Sequence, residues 1–124
     1  MNVVDSSGWF EYLANGPNAG FFSAPIQDTS NLLTPPICLY EVCKRVLAQY
    51  GEERALEVVG AMSLGNLVDL SSQIAVEAAW ISIEYKLAMA DSLILASAWA
   101  QKAVLWTQDA HFKDIEGVKY IEKR

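Results

Sequence analysis

Asp5, Glu41, Asp91 and Asp109 are the residues of this chain with the clearest capacity for chemistry. Asp5 closes the apolar run Met1-Asn2-Val3-Val4. Asp109 closes another, Ala103-Val104-Leu105-Trp106-Thr107-Gln108. Glu41 and Asp91 each open an apolar helical stretch, Glu41-Val42-Cys43 and Asp91-Ser92-Leu93-Ile94-Leu95-Ala96. In an open parallel sheet, ligands bind beyond the carboxyl ends of the strands, beside the helix starts. Carboxylates gathered there repel one another unless something positive lies between them. A divalent cation fills that role, and such sites hydrolyse phosphate esters.

Each acid also has a plainer reading. Asp5 could cap the helix that follows it, and Asp91 could be an N-cap, since aspartate is a preferred capping residue. Glu41 could pair with Lys44 and Arg45 at helical spacing. Asp109 could be a turn residue after a strand. Two features argue for the chemical reading of the set. Asp5 ends a strand that should be central, where a lone buried charge is expensive. The helix opened by Asp91 is among the most apolar in the chain. The hydroxyls of Ser6 and Thr107 are placed to orient a ligating carboxylate, although strand threonine and helix-cap serine fit the pattern equally well. Asp69 also sits in a predicted strand, and spacing alone does not separate it from the site. His111 could be a general base, but a lone loop histidine is more often an exposed polar residue.

The elements that must position these residues follow from periodicity. Short strands are predicted at 2–4, 32–34, 67–70, 103–107 and 118–121. Helices are predicted at 8–15, 38–50, 52–62, 73–85 and 90–101, with Ser71 or Ser72 capping the fourth of these. Residues 18–30 are weakly patterned, with room for one helical turn around 19–24, and 109–114 holds a loop with one turn. Pro35-Pro36 breaks the second strand. Leu39, Val42, Cys43, Val46, Leu47 and Tyr50 fall on one helical face. The 90–101 helix is apolar nearly all round and should be buried. Trp80, Trp99 and Trp106 lie in apolar contexts, as core or subunit interface. Short apolar strands alternating with helices imply an α/β fold, a parallel sheet covered on both faces.

Composition narrows the function classes. The chain has 124 residues, 52% of them hydrophobic, which suits one domain with a substantial core and argues against disorder. The formal charge of −6 offers no broad basic face, so non-specific binding of duplex nucleic acid by charge alone is not indicated. A nucleic-acid substrate stays open if metal ions neutralise the acidic site and local lysines hold the strand. Asp5 comes too early for a signal peptide. The longest apolar stretch, 87–100, is interrupted by Asp91 and two serines, so no membrane span is expected. Cys38 and Cys43 form no Cys-x-x-Cys motif, and with one histidine in the chain a zinc site is not indicated. They read as buried thiols of a cytoplasmic protein. No Gly-rich phosphate loop, Gly-x-Ser-x-Gly elbow or Ser/His/Asp set is visible.

Val3-Val4-Asp5-Ser6-Ser7, Leu39-Tyr40-Glu41-Val42, Ala90-Asp91-Ser92-Leu93-Ile94-Leu95-Ala96 and Leu105-Trp106-Thr107-Gln108-Asp109-Ala110-His111-Phe112 together resemble the PIN-domain ribonucleases. The small size and the Gly117-Val118 entry into the last strand look most like the VapC toxins of toxin–antitoxin pairs. The resemblance covers essentially the whole chain. It implies a three-layer α/β/α fold around a five-stranded parallel sheet of order 3-2-1-4-5. That order would put Asp69 on an edge strand, away from the acids after strands 1 and 4. It implies an endoribonuclease dependent on Mg²⁺ or Mn²⁺, usually a homodimer and silenced by a cognate antitoxin. Asp5, Glu41, Asp91 and Asp109 would be its metal and catalytic residues. Many relatives carry a further acid two residues after the fourth, where this chain has His111. Lys44, Arg45, Lys86 and Lys113 are candidates to hold the RNA backbone.

Two rival readings remain. A phospho-acceptor receiver domain is also doubly wound, with Asp69 as its acceptor, but Asp5 has no acidic neighbour and Lys119 lies inside the last strand. A PIN scaffold used only for binding is the other, and the intact acids count against it.

Overall fold

In the computed structural model, which describes residues 1–124, five short strands form one parallel sheet. They are β1 (Asn2–Val4), β2 (Leu32–Thr34), β3 (Asn66–Leu67), β4 (Val104–Thr107) and β5 (Val118–Tyr120). The sheet order is β3-β2-β1-β4-β5. β1 pairs with β2 in the register Asn2 to Leu32 and with β4 in the register Val3 to Leu105. Six helices connect the strands: α1 (Ser6–Leu13), α2 (Ala19–Gln27), α3 (Pro36–Tyr50), α4 (Glu52–Met62), α5 (Ser72–Tyr85) and α6 (Met89–Ala100). From β1 the chain first winds outward to β2 and β3, then crosses back to β4 and β5. Right-handed crossovers in opposite directions put α1–α4 and α5–α6 on opposite faces. The reversal between β1 and β4 is a topological switch point, where such sheets open a crevice beyond the strand ends.

Burial on both faces explains why the central strands are apolar without alternation. Val3, Val4, Leu32, Leu33 and Leu105 are all buried. α6 is sandwiched as its composition implies, with Ile94, Leu95, Ala96 and Ala98 inside the core. α1 must approach β1 closely, and Gly8 allows it. A Cβ at that position would lie 2.6 Å from both Phe22 Cε1 and Val4 Cγ1. Gly8→Ala should therefore destabilise the protein by about 2 kcal/mol despite the better helix propensity of alanine, because the core must move apart to admit the methyl. Urea unfolding checks this, and an unchanged midpoint would contradict it.

Several expectations need correction. Pro36 does not merely break a strand; it is the first residue of α3, where a missing N–H is harmless. Glu41 accordingly lies in the second turn of α3 rather than opening it. The buried stripe of α3 runs through Cys38, Val42 and Val46, while Leu47 and Tyr50 point outward. α2 is a full helix of nine residues rather than one turn, held by burial of Ala19, Phe22, Pro25 and Ile26. β3 ends at Leu67, so Asp69 lies beyond the strand, exposed, at the sheet's edge. Trp99 and Trp106 are half-buried against the core, but Trp80 is 73% exposed and is no core residue. No helix is long and apolar enough to cross a membrane.

Candidate active-site cleft

The carboxyl ends of β1 and β4, the second turn of α3 and the first turn of α6 meet around one open cleft of about 420 Å³. Asp5, Glu41, Asp91 and Asp109 all line it, with Ser6, Ser7, Glu11, Gln108, Arg45 and Lys123. Asp69 is not among the lining residues.

Asp5 is the deepest of the acids, only 3% exposed. It is the N-cap of α1: Gly8 N donates to its Oδ1 at 2.9 Å. Ser7 Oγ donates to the same oxygen at 2.7 Å, and Thr107 Oγ1 donates to Oδ2 at 2.6 Å. Thr107 in turn accepts from Asp109 N at 2.9 Å, which ties the β4 loop to Asp5. Ser6 Oγ donates to Glu41 Oε1 at 2.6 Å. Glu41 is therefore turned toward α1, with no ion pair to Lys44 or Arg45, whose heads rest over the rings of Tyr40 and Phe10. Asp109 caps the 3₁₀ turn Ala110–Phe112, accepting from His111 N at 2.9 Å. Asp91 is not an N-cap; that position belongs to Ala88, and Asp91 sits in the first turn of α6. Its carboxylate accepts no hydrogen bond from the protein.

The electrostatics reflect this crowding. Burial pushes the Asp5 carboxyl up to about 6, against the hydrogen bonds from Thr107, Ser7 and Gly8 that favour its ionised form, and Asp109 adds to the rise. Asp91 is also raised to about 6, by burial first and then by the charges of Asp109 and Glu41. Burial likewise raises the Cys38 thiol well above its usual range; its Sγ donates to Val4 O behind the site. Both cysteines are free thiols, Cys38 buried as expected and Cys43 half-buried.

These shifts set a pH dependence. A carboxyl whose folded pKa lies above its unfolded value binds protons more tightly when folded, so stability rises as pH falls through 6 toward 4. For Asp5 the gain between pH 7 and pH 5 is about 1 kcal/mol. Asp91 contributes less because it is half-exposed. Urea unfolding of metal-free protein at the two pH values should record the rise, and Asp5→Asn should remove most of it. A fall in stability over that window would contradict the arrangement.

The donor set suits a hard divalent cation. All four acids offer carboxylate oxygens, as Mg²⁺ and Mn²⁺ prefer. No lysine or arginine forms an ion pair with any of them; Arg54 pairs with Glu57, and His111 Nδ1 lies 2.9 Å from Asp109 Oδ1. Asp91, Asp109 and His111 bring potential ligand atoms within 4.8 Å of one another. Asp5 and Glu41 instead face their hydroxyl partners. Ser7, Gln108, Glu11 and Lys123 line the cleft without having been singled out in the sequence. For Ser7, the signal was a hydroxyl two residues after an aspartate that caps a helix. Of the basic candidates, only Arg45 lines this cleft; Lys44 borders the neighbouring groove with Tyr40 and Glu41.

A five-stranded parallel sheet of order 3-2-1-4-5, with acids after strands 1 and 4 at the switch point, defines an α/β protein of the PIN type. The PIN domain family profile matches residues 3–118, and the chain belongs to that family. No curated protein matches it in sequence. Among solved structures it is similar to a chain of a toxin–antitoxin complex from Klebsiella pneumoniae, at 25% identity and a TM-score of 0.79, covering 96% of each chain. DNA-bound VapBC from Salmonella typhimurium aligns at 21% identity and TM-score 0.76, covering 98% of this chain and 97% of that one. The Mycobacterium tuberculosis toxin VapC20, described as cleaving the sarcin-ricin loop, aligns at 13% and 0.75, covering 94% and 95%. The resemblance to VapC-type PIN proteins is thus borne out. The receiver reading fails, because that fold places its third strand beside the first, whereas β3 here is at the edge.

Proposed function

We propose that this protein is a divalent-metal-dependent endoribonuclease of the toxin type, restrained by a cognate antitoxin. The observation that carries the reading is the cleft itself: four carboxylates share one opening with no lysine or arginine paired to them. Membership of a nuclease family and the likeness to toxin–antitoxin structures support it. Asp5, Glu41, Asp91 and Asp109 would hold Mg²⁺ or Mn²⁺, which when bound supplies an acidified water and offsets charge developing on a phosphate. Thr107, Ser7 and Gly8 N fix both oxygens of Asp5, and Ser6 fixes Glu41, so these carboxylates need little reorganisation. Arg45 and Lys123 at the rim can meet the RNA backbone. RNA as substrate and two free thiols suit a cytoplasmic protein.

A second copy is part of the proposal. Trp80 and Ile83 leave an apolar face on α5 that self-association would cover. Sedimentation of the purified chain tests this, and a monomer at micromolar concentration would contradict it. The catalytic reading is tested by incubating the protein, freed of antitoxin, with structured and single-stranded RNA. Cleavage should require Mg²⁺ or Mn²⁺ and stop with chelator. Undiminished cleavage in excess chelator would refute metal dependence, and no cleavage with metal bound would favour the binding-only scaffold.

A further inference from the structure

We propose that His111 is itself a ligand of this metal site and shifts its preference from Mg²⁺ toward Mn²⁺ and other divalent ions that accept imidazole. The inference rests on the metal-site reading above and goes beyond it to which ion the site selects. The ligand atoms of His111, Asp91 and Asp109 all lie within 4.8 Å of one another. His111 Nδ1 is 2.9 Å from Asp109 Oδ1. Adjacent ligands on an octahedral ion, with bonds of about 2.1 Å, stand about 3 Å apart, so a contact that is a hydrogen bond without metal also has the spacing of two groups sharing one cation. Asp91 closes the triangle with a carboxylate that no protein donor satisfies.

The turn that carries His111 is anchored rather than loose. Phe112, its last residue, is fully buried, and Asp109 Oδ1 accepts the backbone N–H of His111. The backbone of the turn is thus held beside the acids, and from it the exposed imidazole reaches Asp109 Oδ1. Mg²⁺ takes oxygen ligands and gives up its waters reluctantly, so a nitrogen in this position does little for it. First-row transition ions accept imidazole, and a site that mixes it with carboxylates discriminates in their favour.

The test uses the fact that the chain has one histidine. Untagged protein is loaded with Mn²⁺ and examined by pulsed electron paramagnetic resonance. The wild type should show the nitrogen coupling of a directly bound imidazole, and His111→Ala should lose it while still binding Mn²⁺ through the carboxylates. Calorimetric titration should find Mn²⁺ binding weakened about tenfold or more in His111→Ala, with Mg²⁺ changed by less than about twofold. His111→Asp should narrow the ratio of the two affinities by strengthening Mg²⁺. Mn²⁺ bound to the wild type without nitrogen coupling would overturn the proposal and leave the carboxylate site standing. Equal weakening of both ions in His111→Ala would overturn it too, reducing His111 to a partner that positions Asp109. No binding of Mn²⁺ at all would overturn both this inference and the reading on which it rests.

Discussion

Asp5→Asn and Asp91→Asn should each lower RNA cleavage by about a hundredfold or more while leaving the protein folded. The size follows from what a ligated cation supplies: several kcal/mol of charge stabilisation together with an acidified water. The retained fold follows from the local contacts. An asparagine at position 5 keeps an oxygen for Gly8 N and Ser7 Oγ, and its amide can donate to Thr107 Oγ1, so the α1 cap survives. Asp91 accepts no hydrogen bond from the protein, so its replacement leaves no donor stranded. Both substitutions also remove a carboxylate held up at about 6 by burial and neighbouring charge, so the metal-free variants should be no less stable than wild type. Cleavage rates with Mn²⁺, measured beside circular dichroism, check both halves. Full activity in Asp5→Asn would remove Asp5 from the site.

Expression of the chain alone should arrest growth of its host, with colony counts falling by orders of magnitude, and co-expression of a neighbouring small gene should restore them. The physical ground is the same cleft. A site that cut RNA would endanger the cell that makes it. Its carboxylates, paired with no lysine or arginine, offer a partner a strong handle, because a basic side chain inserted among them would neutralise the crowding and take the place of a cation. Growth arrest should vanish in the Asp5→Asn chain at equal expression. Harmless accumulation of folded wild-type protein in its native host would contradict a toxin role.

Much of this arrangement was legible in the sequence because several local signals agree. β1, β2 and α4 have the bounds that periodicity and punctuation predict, since Asp5, Pro35 and Gly51 mark their edges. Where two signals conflicted, the reading failed. Residues 18–30 read as weakly patterned with one turn around 19–24, yet α2 runs on through Pro25 because Phe22 and Ile26 are buried on either side. Periodicity finds apolar stripes on α3 without saying which faces the sheet, so Leu47 and Tyr50 were grouped with Val42 and Val46. The acids are a similar case. Spacing identifies carboxylates at strand and helix ends, but only strand order decides which ends converge. Spacing alone therefore leaves Asp69 open; the PIN resemblance puts it on an edge strand, and β3 stands at that edge. Capping and site roles also proved compatible rather than exclusive. Asp5 and Asp109 are caps and line the cleft, whereas Asp91 lines it without capping. Lys123 escaped notice because it lies in the tail after β5, where no periodicity applies.

The central claim is that Asp5, Glu41, Asp91 and Asp109 hold a divalent cation, and thermal unfolding with and without Mn²⁺ tests it most directly. An ion that binds only the folded state stabilises it by about 2.7 kcal/mol at a hundredfold excess over Kd. Wild type should therefore melt several degrees higher with Mn²⁺ than in chelator. Asp5→Asn and Asp91→Asn should lose most of that increment, and Asp69→Asn should keep it. Loss of the increment in Asp69→Asn, with Asp5→Asn unaffected, would contradict the account.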